Sequence, residues 1–153
     1  MLDAFSQKIL TLLQLDARRS VQEISEQVGL SSTPCWRRIK EMEQQGIIQR
    51  YTALLDRQKL GLQLCALIHI QLNRQSPNAA AQLESAVMGW PQVTECYRTA
   101  GEADYVLKLV AADVAAFDAF LQQTLLALPC VAQVRSSLVL DEVKFDTALP
   151  FPS

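Results

Sequence analysis

The chain has 153 residues, half of them hydrophobic and a fifth charged, with a formal net charge of −2. That is enough for one substantial core or two small ones, and it argues against a disordered chain or a protein that coats nucleic acid over its whole surface. The charge is uneven: residues 1–60 hold nine basic and seven acidic side chains, and residues 61–153 hold five and nine. Any nucleic-acid contact is therefore expected in the first part.

Residues 3–15 are expected to form a first helix, with Phe5, Ile9, Leu12 and Leu13 at helical spacing. Ser20 and Glu23 make an S-x-x-E capping box that starts a second helix, Ile24 and Val28 are its buried face, and Gly29 ends it. Ser31 or Ser32 caps a third helix, with Pro34 tolerated in the first turn, and Gly46 stops it. Two short helices joined by a tight turn have helix-turn-helix spacing. On the third helix Cys35, Ile39 and Met42 form one stripe, and Thr33, Arg37, Lys40 and Gln44 form the opposite one, flanked by Trp36 and Arg38. Residues 31–40 contain three bases and no acid. Long donors reaching outward from a helix N-terminal half suit phosphates and guanine edges in a major groove. The candidate DNA-binding set is Ser31, Ser32, Thr33, Trp36, Arg37, Arg38, Lys40 and Gln44. The plainer alternative is a solvated charged helix.

Gly46 to Thr52 reads as an extended segment, a wing strand, and residues 53–62 as a connector without a clean period ending near Gly61. From Leu64 the period becomes two: Leu64, Ala66, Ile68, Ile70 and Leu72 share one side of a strand. Ser76-Pro77 is expected to open a helix that runs to about Met88, with Leu83 and Val87 inward. Strands follow over Val93–Thr99 and Tyr105–Ala111, joined by the turn Ala100–Asp104. Asp113 caps a further helix with Val114, Phe117, Leu121, Leu125 and Leu128 inward, stopped by Pro129, and Val131–Leu140 is a last strand. The fold class expected is α+β: an N-terminal winged helix-turn-helix domain and a C-terminal ferredoxin-like βαββαβ domain with both helices on one sheet face. The boundaries expected are 1–52, a connector at 53–62, 63–144, and a tail at 145–153. Cys65, Leu67 and His69, or their alternates, should lie on the other face, where a partner sheet is the simplest cover.

Cys35, Cys65, Cys96 and Cys130 are about thirty residues apart with no C-x-x-C pair, and His69 is the one histidine, so no metal and no cofactor is expected. Isolated thiols without a signal peptide suggest a reducing cytoplasm, and no apolar run reaches membrane-spanning length. No nucleophile–base pair, paired acids or glycine-rich phosphate loop is present, so the chain is not expected to be an enzyme.

EISEQVGLSSTPCWRRIKEMEQQGII, with its S-x-T-P-C-x-x-R and E-x-x-G-I-I runs, resembles the Lrp/AsnC family of transcription regulators; so do YTALLD, AGEADYVLKL and SSLVLDEVK. The resemblance covers nearly the whole chain. It implies a DNA-binding domain, an amino-acid-binding domain, and homodimers that assemble to an octamer or similar particle. It also implies a cytoplasmic, nucleoid-associated regulator of amino-acid metabolism that reads imperfect palindromes in double-stranded DNA. It places an effector site at the hairpin after the second strand of the C-terminal domain, with Tyr97, Thr99, Gly101, Glu102 and Asp104, and Ser136 from the last strand. Read without the resemblance, GEAD is a hairpin of turn-favouring residues. Where the family often has threonines two apart on the last strand, this chain has Val134 and Ser136. A free-standing amino-acid-binding module without direct DNA reading is the alternative function; a salt-dependent DNA shift separates the two.

Overall fold

A computed structural model describes residues 2–152. The chain divides into two compact units, residues 1–54 with 143–153, and residues 55–142.

The first unit holds three helices, α1 Ala4–Leu15, α2 Val21–Val28 and α3 Ser32–Gln44. Each start has a chemical cause. Asp3 caps α1 by accepting from the Ser6 amide at 2.9 Å. Ser20 and Glu23 form the expected reciprocal box on α2. Gly29 takes φ +81 after α2, which lets the Leu30 amide bond back to the Ser25 carbonyl at 3.0 Å and turns the chain into α3. Ser31 occupies the cap position of α3 without a side-chain cap bond. Ile9, Leu10, Ile24, Val28, Cys35, Ile39 and Met42 make the core, so the apolar stripe expected on α3 is buried. Burying each large side chain contributes roughly 1.5–3 kcal/mol.

The expected wing strand is absent among the described residues: Gly46–Thr52 forms no ladder. Gly46, at φ +72, instead directs the Ile47 and Ile48 amides back to the Met42 carbonyl at 2.9 and 3.1 Å, and Ile48 packs on the core. A strand needs a partner, and within one chain none stands beside this segment. The C-terminal tail is also more than a loose end. The Gln14 carboxamide holds Leu149 by both backbone groups, at 2.6 Å from its N–H and 3.2 Å to its carbonyl, and Phe151 packs on the helical core.

The second unit is a four-stranded antiparallel sheet in the order β2-β3-β1-β4, from β1 Leu64–Leu72, β2 Val93–Arg98, β3 Tyr105–Ala111 and β4 Val131–Leu138. α4 Ala79–Val87 and α5 Val114–Phe120 complete the βαββαβ order. Ala66, Ile68 and Ile70 of β1 and Tyr105, Leu107 and Leu109 of β3 form the floor of its core with Leu83, Phe117, Phe120 and Leu125. Trp90 meets Phe120 edge-on at 5.2 Å.

Three expectations are corrected by the structure. α4 begins at Ala79, capped by Asn78 in the left-handed region at φ 54, and Ser76-Pro77 belongs to the turn before it; asparagine tolerates that conformation, so the helix need not start at the proline. Val114 is 64% exposed, and Phe120 takes an inward place beside Phe117. Past Phe120 the helix widens into a π-helical turn, Leu121–Leu125, which carries Leu125 into the core. Cys65 is 2% exposed rather than open: it lies cross-strand from Val110, itself 9% exposed, and its carbonyl accepts from Val139 at 2.9 Å. Leu67 stays exposed as expected, while His69 is half-buried. Among the described residues no helix is long and apolar enough to cross a membrane.

Candidate nucleic-acid interface and effector cleft

α3 turns Thr33, Trp36, Arg37, Lys40 and Gln44 to solvent, while Cys35, Ile39 and Met42 fix the opposite face. Ser31 and Ser32 are exposed at its N-terminus, the Ser32 hydroxyl 3.4 Å from that of buried Ser25. Trp36 is 52% exposed, a large apolar surface beside the basic stripe. Arg38 does not share this face. Its guanidinium reaches α1, 2.7 Å from Asp3 Oδ2 and 3.1 Å from the Ser6 hydroxyl, and lies over the Phe5 ring at 5.7 Å. Of the eight residues expected to meet DNA, Arg38 is thus the one committed to the domain's own framework.

The outward bases have acidic neighbours that sequence reasoning passed over. Arg37 Nε is 3.7 Å from Glu41, and Lys40 Nζ is 2.6 Å from Glu43 Oε2. Tyr51 donates its hydroxyl to the other Glu43 oxygen at 3.0 Å. The Lys40 hydrogen bond, then that of Tyr51, holds the Glu43 carboxyl below its usual range. Burial first, and Glu43 second, push the Tyr51 hydroxyl up to about 12. Basic residues followed by acids at helical spacing were the available signal.

In the second unit a cleft of about 270 Å³ opens on the sheet face away from α4 and α5, lined by His69, Gln71, Glu102, Ala103, Gln133, Arg135 and Ser137. Glu102 is the one expected effector residue in its lining. The hairpin beside it is pinned. Thr99 bonds Asp104 through the backbone at 2.9 Å and Ala103 through its hydroxyl at 2.7 Å, and Gln71 donates to the Glu102 carbonyl at 2.7 Å. Gly101 sits at φ +153, a conformation L side chains resist, in open space. The Asp104 carboxylate accepts from the Leu72 amide at 2.8 Å, stapling the hairpin to the end of β1. Tyr97 lies on β2 with its hydroxyl on Glu95 at 2.8 Å, and that carboxylate raises the phenol's pKa. Ser136 pairs with core-facing Ile68, so Ser137, paired with Leu67, is the serine that lines the cleft. His69, Gln71, Gln133 and Arg135 were legible as the polar members of two alternating strands. Arg135 lies 3.4 Å from Glu102, both well exposed, so one cation and one anion face the same space.

Both parts of the chain are similar to known proteins. Residues 2–49 match the model of a winged helix-turn-helix DNA-binding domain, and residues 65–149 match the Lrp/AsnC ligand binding domain. The leucine-responsive regulatory protein of Klebsiella pneumoniae is 43% identical over 143 residues, covering 94% of this chain and 87% of that one. The DNA-binding transcriptional activator DecR of Escherichia coli is 37% identical over 150 residues, covering 98% and 99%. A transcriptional regulator of Neisseria meningitidis, solved as a complex with L-Met, superposes with a TM-score of 0.94 at 39% identity, covering 98% of this chain and 97% of that one. The chain belongs to the Lrp/AsnC family of transcriptional regulators.

Proposed function

We propose that this regulator reads double-stranded DNA with the outward stripe of α3, and that a free amino acid in the cleft beside the 99–104 hairpin tunes that binding. The observation that carries the reading is the exposed Thr33, Arg37, Lys40 and Gln44 stripe on a helix whose other face is locked into a helix-turn-helix core. Arg37 is the base-edge or phosphate donor, Thr33 and Gln44 extend the contact along the groove, and Ser31 and Ser32 approach phosphate at the helix start.

In the cleft, Arg135 suits an α-carboxylate and Glu102 an α-ammonium, each released from the other by the ligand. Tyr97, Thr99, Gly101, Asp104 and Ser136 then form the hairpin and flanking strands that shape a site shared with a neighbouring subunit. Methionine is the first effector to test, because the Neisseria relative was solved with L-Met. The partly exposed sheet face carrying Leu67, His69 and Tyr97 is the dimer surface, and dimers assemble to an octamer or similar particle. Two recognition helices per dimer fit imperfect palindromes, and the working compartment is the cytoplasm, with the particle on the nucleoid. The test is a DNA shift titration against salt with and without each of the twenty amino acids. Salt-sensitive binding that one amino acid alters supports the reading, and salt-independent binding contradicts it.

A further inference from the structure

The outward bases of α3 can reach DNA only in competition with acids of their own helix. In both the Arg37–Glu41 and the Lys40–Glu43 pair the base precedes the acid, the less stabilising order, and Glu43 lies toward the negative end of the helix dipole. Helix stability therefore gives these acids only a weak reason to be there. The pairs also differ. Arg37–Glu41 is long and open, and among the described residues no hydrogen bond holds the Glu41 carboxylate. Glu43 is gripped from both sides, by Lys40 at 2.6 Å and by the Tyr51 hydroxyl at 3.0 Å. With its pKa near 12, Tyr51 remains a donor at any working pH. Lys40, Glu43, Tyr51 and Trp36 line one open groove of about 220 Å³ beside the ends of α1 and α2, which Arg19 also lines.

We infer that Glu43, fixed by the Tyr51 hydroxyl, competes with DNA phosphate for Lys40 and so lowers affinity for any duplex, arbitrary sequence included. Resting on the reading that α3 meets DNA, this says what the acid adds. Any duplex offers phosphates, and binding to arbitrary sequence is almost wholly electrostatic. A phosphate must take the ammonium away from a carboxylate that is already well placed, and this cost falls on every sequence. Base-edge contacts keep the operator complex tight despite this common cost, whereas arbitrary DNA has none to add. Glu43 thus suppresses retention on arbitrary DNA, and Tyr51 is its positioning residue.

The experiment uses the full chain and a random-sequence duplex, with anisotropy read across a salt series. Glu43→Gln should bind that duplex roughly two- to fivefold tighter, the range of one exposed ion pair. Its salt slope should steepen by about 0.9, one phosphate contact. Tyr51→Phe should move both readings the same way by less, with an unchanged thermal midpoint. In a Lys40→Ala background Glu43→Gln should do nothing. Glu41→Gln removes the same formal charge and should give a smaller gain. Equal gains from Glu41→Gln and Glu43→Gln, or a gain that survives without Lys40, overturn the inference in favour of net charge. If Arg37→Ala and Lys40→Ala both bind like the parent, the reading of α3 itself fails. If they weaken binding while Glu43→Gln matches the parent, this inference alone fails.

Discussion

Arg38 Nη1 lies 2.7 Å from Asp3 Oδ2, which joins α3 to the residue that caps α1. The same carboxylate takes the Ser6 amide, and that bond, before any charge effect, lowers its pKa. Two neighbouring arginines on one helix therefore have different work. Arg37→Ala should weaken operator binding by about 1–3 kcal/mol and leave the fold intact. Arg38→Ala should lower the thermal midpoint of the first unit and change the salt slope little. Parallel melting and anisotropy on both variants checks this; Arg38→Ala that melts like the parent yet flattens the slope would return it to the DNA face.

Acid should loosen the helical unit first. Asp3, Glu23 and Glu43 all have carboxyls lowered from ordinary values of 3.8, 4.5 and 4.5, the first two by backbone hydrogen bonds from Ser6 and Ser20 and the third by Lys40. A depressed folded-state pKa gives stability that is complete above the unfolded value and lost as pH falls through the folded one. Melting of the α-helical signal should therefore fall in midpoint below about pH 4.5, and Glu23→Gln should flatten that dependence. A midpoint unchanged down to pH 3 in the parent would remove these groups from the account.

The tail belongs to the first unit's stability. Phe151→Ala removes a half-buried ring from the helical core and should cost roughly 1–2 kcal/mol. Gln14→Ala should loosen Leu149, and ending the chain at Glu142 should exceed either change. Urea unfolding of the three variants decides it; a truncated chain as stable as the parent would leave the tail without a packing role.

At the cleft, Arg135→Ala and Glu102→Gln should lose the response to methionine while binding DNA normally without it. Asp104→Ala acts differently, because its carboxylate caps the end of β1: it should lower stability along with the response. Gly101→Val should strain the turn through its backbone conformation, since a Cβ there meets no neighbour within 4 Å. Calorimetric titration of methionine into each variant measures the first effect and thermal melting the second. Full methionine affinity in Arg135→Ala would move the effector elsewhere.

Local chemistry made much of this readable in advance. The Ser20–Glu23 box, the turn at Gly29, and the alternation of β1 and β3 are short-range patterns that packing then respects. What stayed hidden depends on neighbours distant in sequence. A helical wheel shows Arg37 and Arg38 as adjacent, and only the position of α1, 32 residues away at Ser6, draws Arg38 inward. The wing was misjudged because extended residues form a strand only beside a partner. Cys65 was misplaced because alternation says which face a residue takes, not how deeply that part of the face is buried. The cleft was half legible: Glu102 was expected, but its opposite wall depends on the β1–β4 register, which puts Arg135 across from His69 and Ser137 on the cleft side.

Whether α3 binds DNA through its outward stripe is decided by the operator affinity of the parent and of Arg37→Ala across a salt series. Binding by the parent should be salt-sensitive, and the variant should lose about 1–3 kcal/mol with its thermal midpoint unchanged. Equal affinity and equal slope for the two proteins would contradict it.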